Sequence, residues 1–265
     1  MPYSASALQK LLPGIGLAQT DIAAAQPRNK YKNDQERALR GLSWLRAAET
    51  AKNPDARLIC ALIALNSLYA VPPRKTKAKA APEDGAAEND IPEYEREHER
   101  IDNFIDKLVK HDKGGILIDF LRGEQRDNVE ALFASQYLSN SYWRSFHIRN
   151  IPTKAEWVLR EGAKITEAEK CLEERNPALP LKHIIHRVRV LRNQLIHGES
   201  GFGDYYNRPQ VSVCAAFMPP LVGRMLAIVV QTGKYSVWGV VPYPPQGEKP
   251  NQRTFGPVSL RGKGG

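Results

Sequence analysis

Cysteine is scarce in this sequence: the 265 residues include only Cys60, Cys171 and Cys214. Three widely spaced cysteines are an odd number and do not make a disulfide framework. They also lack the close spacing of a cysteine zinc site. We therefore expect a protein of a reducing compartment, the cytoplasm.

The signatures of several enzyme classes are also missing. The serines and cysteines show neither a nucleophile elbow nor a Cys–His spacing, and GFGD at 201–204 lacks the helix and lysine that follow a phosphate-binding loop. His183 and His186 form an H-x-x-H pair. No carboxylate or cysteine lies at a spacing that would complete a zinc site with them. We expect neither a metal nor a cofactor.

Targeting and membrane signals are absent or interrupted. The N-terminus has no positive region followed by a long apolar core, so we expect no signal peptide. Residues 211–230 are mostly apolar but contain Pro219, Pro220 and Arg224. These residues favour a core helix that is broken at the prolines over a membrane span, and we expect no membrane partner.

Positive charge is in excess, with 38 Lys and Arg against 29 Asp and Glu, for a net charge of +9. This balance favours a polyanionic partner, nucleic acid above all, because basic contacts to phosphates release counterions. The charge alone is not specific, since basic residues also serve solubility.

The apolar residues recur mostly at helical spacing, which predicts an all-α bundle of four to five main helices. We place this helical domain at 34–232. Residues 71–92, rich in Pro, Ala and charge, are predicted to be a disordered insertion. Residues 1–33 form an N-terminal extension with one short helix, and 233–265 an extended C-terminal tail. Asn66, within an almost continuously apolar helix, is predicted to be a buried structural polar group.

The segment 181–197 carries the most informative pattern. On a helical wheel this segment has two stripes, one apolar and facing the core and one polar. Within each stripe the residues lie mostly three or four positions apart. Arg192 lies at the edge of the polar stripe, about 140° around the helix from His197 at 100° per residue. Gly198 is a natural C-cap, which places His197 in the last turn. The core stripe contains Leu181, Ile184, Ile185, Val188, Leu191 and Leu195, and the polar stripe contains Lys182, His186, Arg189, Asn193 and His197.

The stretch Arg192-Asn193-Gln194-Leu195-Ile196-His197 is similar to the signature of the HEPN superfamily: Arg, a polar residue, a short spacer and His. Val190-Leu191, Gly198 and the downstream NRPQ at 207–210 support the resemblance, as does the apolar segment 61–70. It covers roughly residues 35–230. The insertion and the C-terminal extension have no counterpart in the family.

The resemblance implies a HEPN-like bundle and a metal-independent endoribonuclease that works as a homodimer, with two motifs facing each other in a basic cleft. His197 would act as general acid or base, Arg192 would neutralise the phosphorane, and Asn193 would orient one of them or bind phosphate. A toxin or defence role, with an antitoxin or other regulatory partner, is a further expectation by analogy. The residues expected to bind RNA are Arg189, His186, Lys182, Arg208 and Tyr205.

Other interpretations stay open. The chain could be a catalytically inactive HEPN-like module that binds RNA or a nucleotide, or that mediates oligomerisation. It could also be a purely structural helical protein, with His197 as a capping residue. Tyr205 could pack within its loop rather than stack on a base.

Overall fold

The structure is a computed structural model. It describes residues 3–9, 32–71, 93–147, 153–199, 201–203, 205, 207–232, 235–239 and 241–242. Within these ranges the regular structure is entirely helical, so the prediction of an all-α fold is confirmed. The insertion, apart from Val71, and most of the predicted C-terminal tail lie outside the described residues.

Ten α-helices and two short 3-10 helices make up the described fold, and six of the α-helices have 16 or more residues against the four to five main helices expected. The α-helices are α1 (Ala5–Gln9), α2 (Lys32–Thr50), α3 (Pro54–Tyr69), α4 (Glu93–His111), α5 (Ile116–Arg122), α6 (Arg126–Ala134), α7 (Asn140–His147), α8 (Lys154–Glu173), α9 (Ala178–Ile196) and α10 (Arg208–Gln231). The 3-10 helices are Gln136–Leu138 and Tyr235–Trp238.

Local sequence signals account for several helix ends. Asn53 caps α3 by accepting hydrogen bonds from two backbone N–H groups of the first turn, and Pro54 follows at the first helical position, where no N–H is needed. Thr153 and Glu156 form a reciprocal capping box at the start of α8. Gly198, with φ +74°, follows the end of α9 in the left-handed conformation that favours glycine.

Helix α10 lies at the centre of the core, in contact with α2, α3, α5 and α6 among others. The prediction of a break at Pro219 and Pro220 is wrong, because the helix runs through both residues. Each proline removes a backbone donor and costs about 3 kcal/mol in a helix interior. Sixteen residues of α10 are buried, and this packing offsets the local penalty.

By length and composition α10 would also be able to cross a membrane. In the folded chain 78% of an apolar 18-residue segment of this helix is buried, which makes α10 a core helix. This agrees with the prediction of a core helix over a membrane span.

Parts of both predicted extensions pack onto the bundle. Ala5 and Leu8 of α1 belong to the main core, and the Ala5 N–H donates to the Glu49 carboxylate of α2 at 3.0 Å. Trp238 and Val241 are buried at the other end of the sequence. Arg37, fully buried, donates to the Leu68 carbonyl at 2.6 Å near the end of α3.

Candidate functional site

The motif Arg192-Asn193-His197 occupies the last turns of α9 and the position just after it. An Arg192 guanidinium nitrogen donates to Asn193 Oδ1 at 3.1 Å, and Arg192 is half-buried. His197 is the C-cap residue: its backbone N–H donates to the Asn193 carbonyl at 2.9 Å, and its side chain is exposed. The motif therefore combines a positioned guanidinium with an imidazole open to solvent.

The core-facing stripe of α9 is buried as predicted from its spacing. Leu195, nearest the C-terminal end, is half-buried and packs against the same core. The fully buried members are Leu181, Ile184, Ile185, Val188 and Leu191.

The polar stripe of α9 faces helix α4, which runs antiparallel to it, and three side chains of the stripe form a ladder of contacts with carboxylates of α4. Lys182 Nζ lies 2.7 Å from an Asp106 oxygen. The other two contacts join His186 Nε2 to Asp102 Oδ1, at 2.7 Å, and Arg189 to Glu97.

Lys182, His186 and Arg189 are expected from the sequence to extend a basic track for RNA, and that expectation stays a prediction. Each of the three meets a carboxylate of α4, so the stripe serves mainly to join two helices. All three contacts occur in one register of α9 against α4. The sequence did hold a signal for it, since Asp102 and Asp106 repeat at the same four-residue spacing as Lys182 and His186.

A second histidine, His98 of α4, lies against His186 and was not singled out from the sequence. The two rings are stacked, with centroids 4.0 Å apart and planes 14° apart. Burial and the neighbouring charges of His186 and Arg189 lower the pKa of His98 to about 4. Burial also lowers the pKa of His186, against the opposing effect of Asp102. Both imidazoles are therefore held in the neutral form at neutral pH.

Glu97 connects the ladder to the motif. One carboxylate oxygen accepts from the Tyr69 hydroxyl at 2.8 Å and the other from Arg189. Burial would raise the pKa of Glu97, but the Tyr69 hydrogen bond and the charges of Arg189 and Arg192 outweigh it, so the pKa is lowered. Burial and the adjacent Glu97 carboxylate raise the pKa of Tyr69. The result is a fixed carboxylate beside a neutral phenol.

A cavity of about 90 Å³ lies between α3, α4 and α9 at this point. Its polar lining consists of Asn66, Tyr69, Glu97, Arg189 and Arg192. The apolar lining includes Ile59, Leu62, Ile63, Ile101 and Ile196.

Asn66 corrects a second prediction, because its side chain is exposed rather than buried. It lies at the cavity on the surface of α3, so it is not a core polar group. Within the described part of the chain, its side chain makes no hydrogen bond.

Arg192 differs from Lys182 and Arg189, which form ion pairs with carboxylates of α4. In the ranges that the structure describes, its hydrogen bond is to the neutral Asn193 amide, and no carboxylate pairs with it. The charge of Glu97 acts on Arg192, but no ion pair with a described carboxylate occupies its half-buried guanidinium, which can therefore bind a phosphate or another oxyanion.

Arg208, which is expected from the sequence to bind RNA, forms an ion pair with a buried carboxylate, and RNA binding by it stays a prediction. Its two terminal nitrogens donate to both oxygens of Asp55, at 2.7 and 2.9 Å, and Asp55 is 1% exposed. The hydrogen bonds and charge of Arg208 lower the pKa of Asp55 despite its burial. The Gly203 N–H also donates to Asp55, at 3.2 Å. Arg208 thus joins the start of α10 to the start of α3.

The rest of the NRPQ segment also holds the loop that follows the motif. Asn207, with φ +60°, precedes α10, and its amide donates to Gln194 Oε1 of α9 at 3.3 Å. Within this loop Phe202 is 73% exposed and Tyr205 is 88% exposed. The exposure of Tyr205 agrees with a surface role, and base stacking by it stays a prediction.

Arg187, a third arginine of α9, has a structural position. It is buried and donates to the backbone carbonyls of Leu132, Phe133 and Ser135, where α6 ends. Its guanidinium carbon also lies 5.3 Å from the Trp157 ring centroid. Burial lowers its pKa to about 10.

Comparison with protein-family models, with curated proteins and with solved structures gives no match for this chain.

Proposed function

We propose that the chain is a metal-independent endoribonuclease of the HEPN type, with Arg192, Asn193 and His197 as its catalytic residues. The proposal rests on the burial and the hydrogen-bond partner of Arg192. Arg192 is a half-buried guanidinium, held by Asn193 and with no carboxylate partner among the described residues, in the same motif as an exposed histidine. The net charge of +9 suits a polyanionic substrate.

The reaction needs two proton transfers. A base removes the proton of a ribose 2′-OH, and the 2′-oxygen attacks the adjacent phosphorus. The bond from phosphorus to the 5′-oxygen then breaks, and that oxygen receives a proton from an acid. The products are a 2′,3′-cyclic phosphate and a 5′-OH end, and no oxidant or metal is required.

His197 can serve either proton transfer, because an imidazole can act as a general acid or a general base and this side chain is exposed to the solvent. Arg192 would neutralise the charge that grows on the phosphorane oxygens, with Asn193 fixing its direction. His197 of one copy would make one of the two proton transfers and water the other, and a homodimer would bring that His197 to Arg192 of the other copy. A dimer also suits the monomer geometry, in which Arg192 bonds to Asn193 and not to His197.

The second candidate is an inactive module that binds RNA or a nucleotide, or that mediates oligomerisation. The observation in its favour is the 52% exposure of Ile196, which lies between Arg192 and His197. A second copy packed against this end of α9 would cover that isoleucine.

Cleavage of mixed RNA in EDTA tests the proposal. We expect cyclic-phosphate ends with the natural chain and at least a hundredfold slower cleavage with His197→Ala or Arg192→Ala. Arg122→Ala, at an exposed position on α5, is the matched control and should cleave normally. RNA binding without cleavage, unchanged by His197→Ala, would establish the second candidate instead. Growth inhibition on expression, relieved by His197→Ala, would support the toxin or defence role.

A further inference from the structure

We propose that Phe202 stacks on one base of a bound RNA strand and so positions the strand at Arg192 and His197. The inference rests on the proposed function for the identity of the ligand, an RNA strand. It adds a positioning residue outside the motif. It implies no choice among the four bases, because every base presents a π-face to an aromatic ring.

Exposed apolar side chains are concentrated beside the motif. Seven large hydrophobic side chains of the described chain are exposed, and three of them, Ile196, Phe202 and Tyr205, lie with His197 in the segment 196–205. Phe202 is 73% exposed, although a phenylalanine ring ordinarily stabilises a fold by being buried. Apolar side chains gathered at one place on a surface indicate a ligand or a partner there.

The backbone is held in place on both sides of Phe202. Before it, the Glu199 N–H donates to the Gln194 carbonyl of α9 at 2.8 Å. After it, the Gly203 N–H donates to Asp55 at 3.2 Å, and Asp55 belongs to the ion pair that joins α10 to α3. The loop therefore presents the ring in a fixed position, which reduces the entropy cost of binding.

The neighbours of Phe202 in the sequence leave its ring accessible. Gly201 and Gly203 have no side chains that could cover it, and a Cβ at Gly203 would meet nothing within 4 Å. The two glycines also interrupt the apolar surface, whereas the core of a protein interface is continuous and apolar. An isolated, accessible ring favours a flat base over a second copy of the chain as the occupant.

The loop lies close enough to the motif to act on the same strand. Phe202 follows His197 by five residues, which span at most about 18 Å even when fully extended. The Glu199 side chain is exposed in the same loop, and its negative charge would repel a phosphate. We therefore assign a base to Phe202 and the phosphate to Arg192.

Binding of two fluorescein-labelled oligomers to the full chain, measured by fluorescence anisotropy, tests the inference. One is a single-stranded 2′-O-methyl oligoribonucleotide of mixed sequence, which has no free 2′-OH and so is not cleaved. The other has the same backbone without bases. We expect Phe202→Ala to weaken binding of the first by at least about fivefold and to leave binding of the second unchanged.

Three further variants show whether the aromatic ring itself is needed. Phe202→Trp should keep the binding of the base-containing oligomer, whereas Phe202→Leu should weaken it as Phe202→Ala does. Leu159→Ala, at a side chain of α8 that is 81% exposed, is the matched control and should bind both oligomers like the natural chain. Because both positions are exposed, all of these variants should unfold at the natural Tm.

Three results would overturn the inference: no binding of the base-containing oligomer by the natural chain, unchanged binding by Phe202→Ala, or an equal loss for both oligomers. Unchanged binding together with conversion of a dimer to a monomer, seen by sedimentation, would make Phe202 a contact between copies instead. The assay does not depend on cleavage. RNA cleavage without an effect of Phe202 on binding would leave the nuclease standing and remove the stacking residue. A base-dependent loss of binding in a chain that does not cleave RNA would keep the stacking residue and remove the nuclease.

Discussion

The imidazole rings of His98 and His186 lie face to face between α4 and α9, with centroids 4.0 Å apart. Asp102 bonds to the ring of His186, and Arg189, Lys182 and Glu97 surround the pair. Two stacked imidazoles cannot both gain a proton without strong repulsion. This pair therefore couples the contact between the two helices to pH.

The first prediction is that the free energy of unfolding falls as the pH decreases from 6.5 to about 4. The pKa of His98 is lowered to about 4 and that of His186 is lowered too, so the unfolded chain binds more protons than the folded chain in this window. The contribution of the two neutral histidines to stability is therefore complete above pH 6.5 and is lost as the pH falls towards 4. Urea unfolding at several pH values, followed by circular dichroism, measures the slope.

His98→Phe separates the histidine effect from general acid sensitivity. Phenylalanine keeps a ring against His186 but does not titrate, so we expect a shallower slope between pH 6.5 and 4, whatever the starting stability. Some slope remains, because burial lowers the pKa of His183 as well. A slope identical to that of the natural chain would show that His98 is not the titrating group.

The second prediction concerns the ion pair of Arg208 with Asp55. Arg208→Ala leaves a carboxylate that is 1% exposed without its bidentate partner, and we expect a loss of about 3 kcal/mol in the free energy of unfolding. Arg126→Ala is the control: its ion pair with Glu130 is exposed on both sides and should contribute about 0.5 kcal/mol or less. If Arg208→Ala weakens RNA binding at an unchanged Tm, the original RNA-binding prediction is correct.

The third prediction compares two helical glycines. A Cβ at Gly223 of α10 would lie 2.3 Å from the Tyr3 carbonyl oxygen, whereas a Cβ at Gly162 of α8 would meet nothing within 4 Å. We expect Gly223→Ala to displace the segment before α1 and to cost about 1–3 kcal/mol. Gly162→Ala should stabilise the chain by about 0.5–1 kcal/mol, because alanine favours the helix. Thermal unfolding of the two variants distinguishes these outcomes, and equal shifts would contradict the close approach at Tyr3.

Most helices were predictable because each shows its apolar residues at helical spacing along the chain. The apolar residues of α4 and the core stripe of α9 are the clearest cases. The continuity of α10 was not predictable, since local rules for proline indicate a break and only the burial of the whole helix offsets them. The exposure of Asn66 was not predictable either. The sequence predicts the helix α3, but it does not show which face of that helix the neighbouring helices leave exposed to solvent.

The motif was predictable as a pattern, whereas its surroundings were not. The sequence places Lys182, His186 and Arg189 on one stripe but does not say that α4 covers it. Pairing between helices depends on the docking of α4 against α9, which a single helical wheel cannot represent. For that reason the sequence alone does not distinguish Arg192 from the cations of the stripe. The structure shows that Arg192, at the edge of the stripe, has no carboxylate partner among the described residues.

The last prediction tests whether two copies complete one site, and it rests on the proposed function. Arg192→Ala and His197→Ala chains are each expected to be inactive. If they are unfolded and refolded together, about half of the dimers combine the two variants. Each mixed dimer then retains one intact Arg192 and one intact His197 on opposite chains. We expect the mixture to cleave RNA faster than either variant alone, at a fraction of the natural rate, because the two motifs share one cleft. A mixture as inactive as its components, with mixed dimers verified by a tag on one chain, would mean that Arg192 and His197 must act within the same chain.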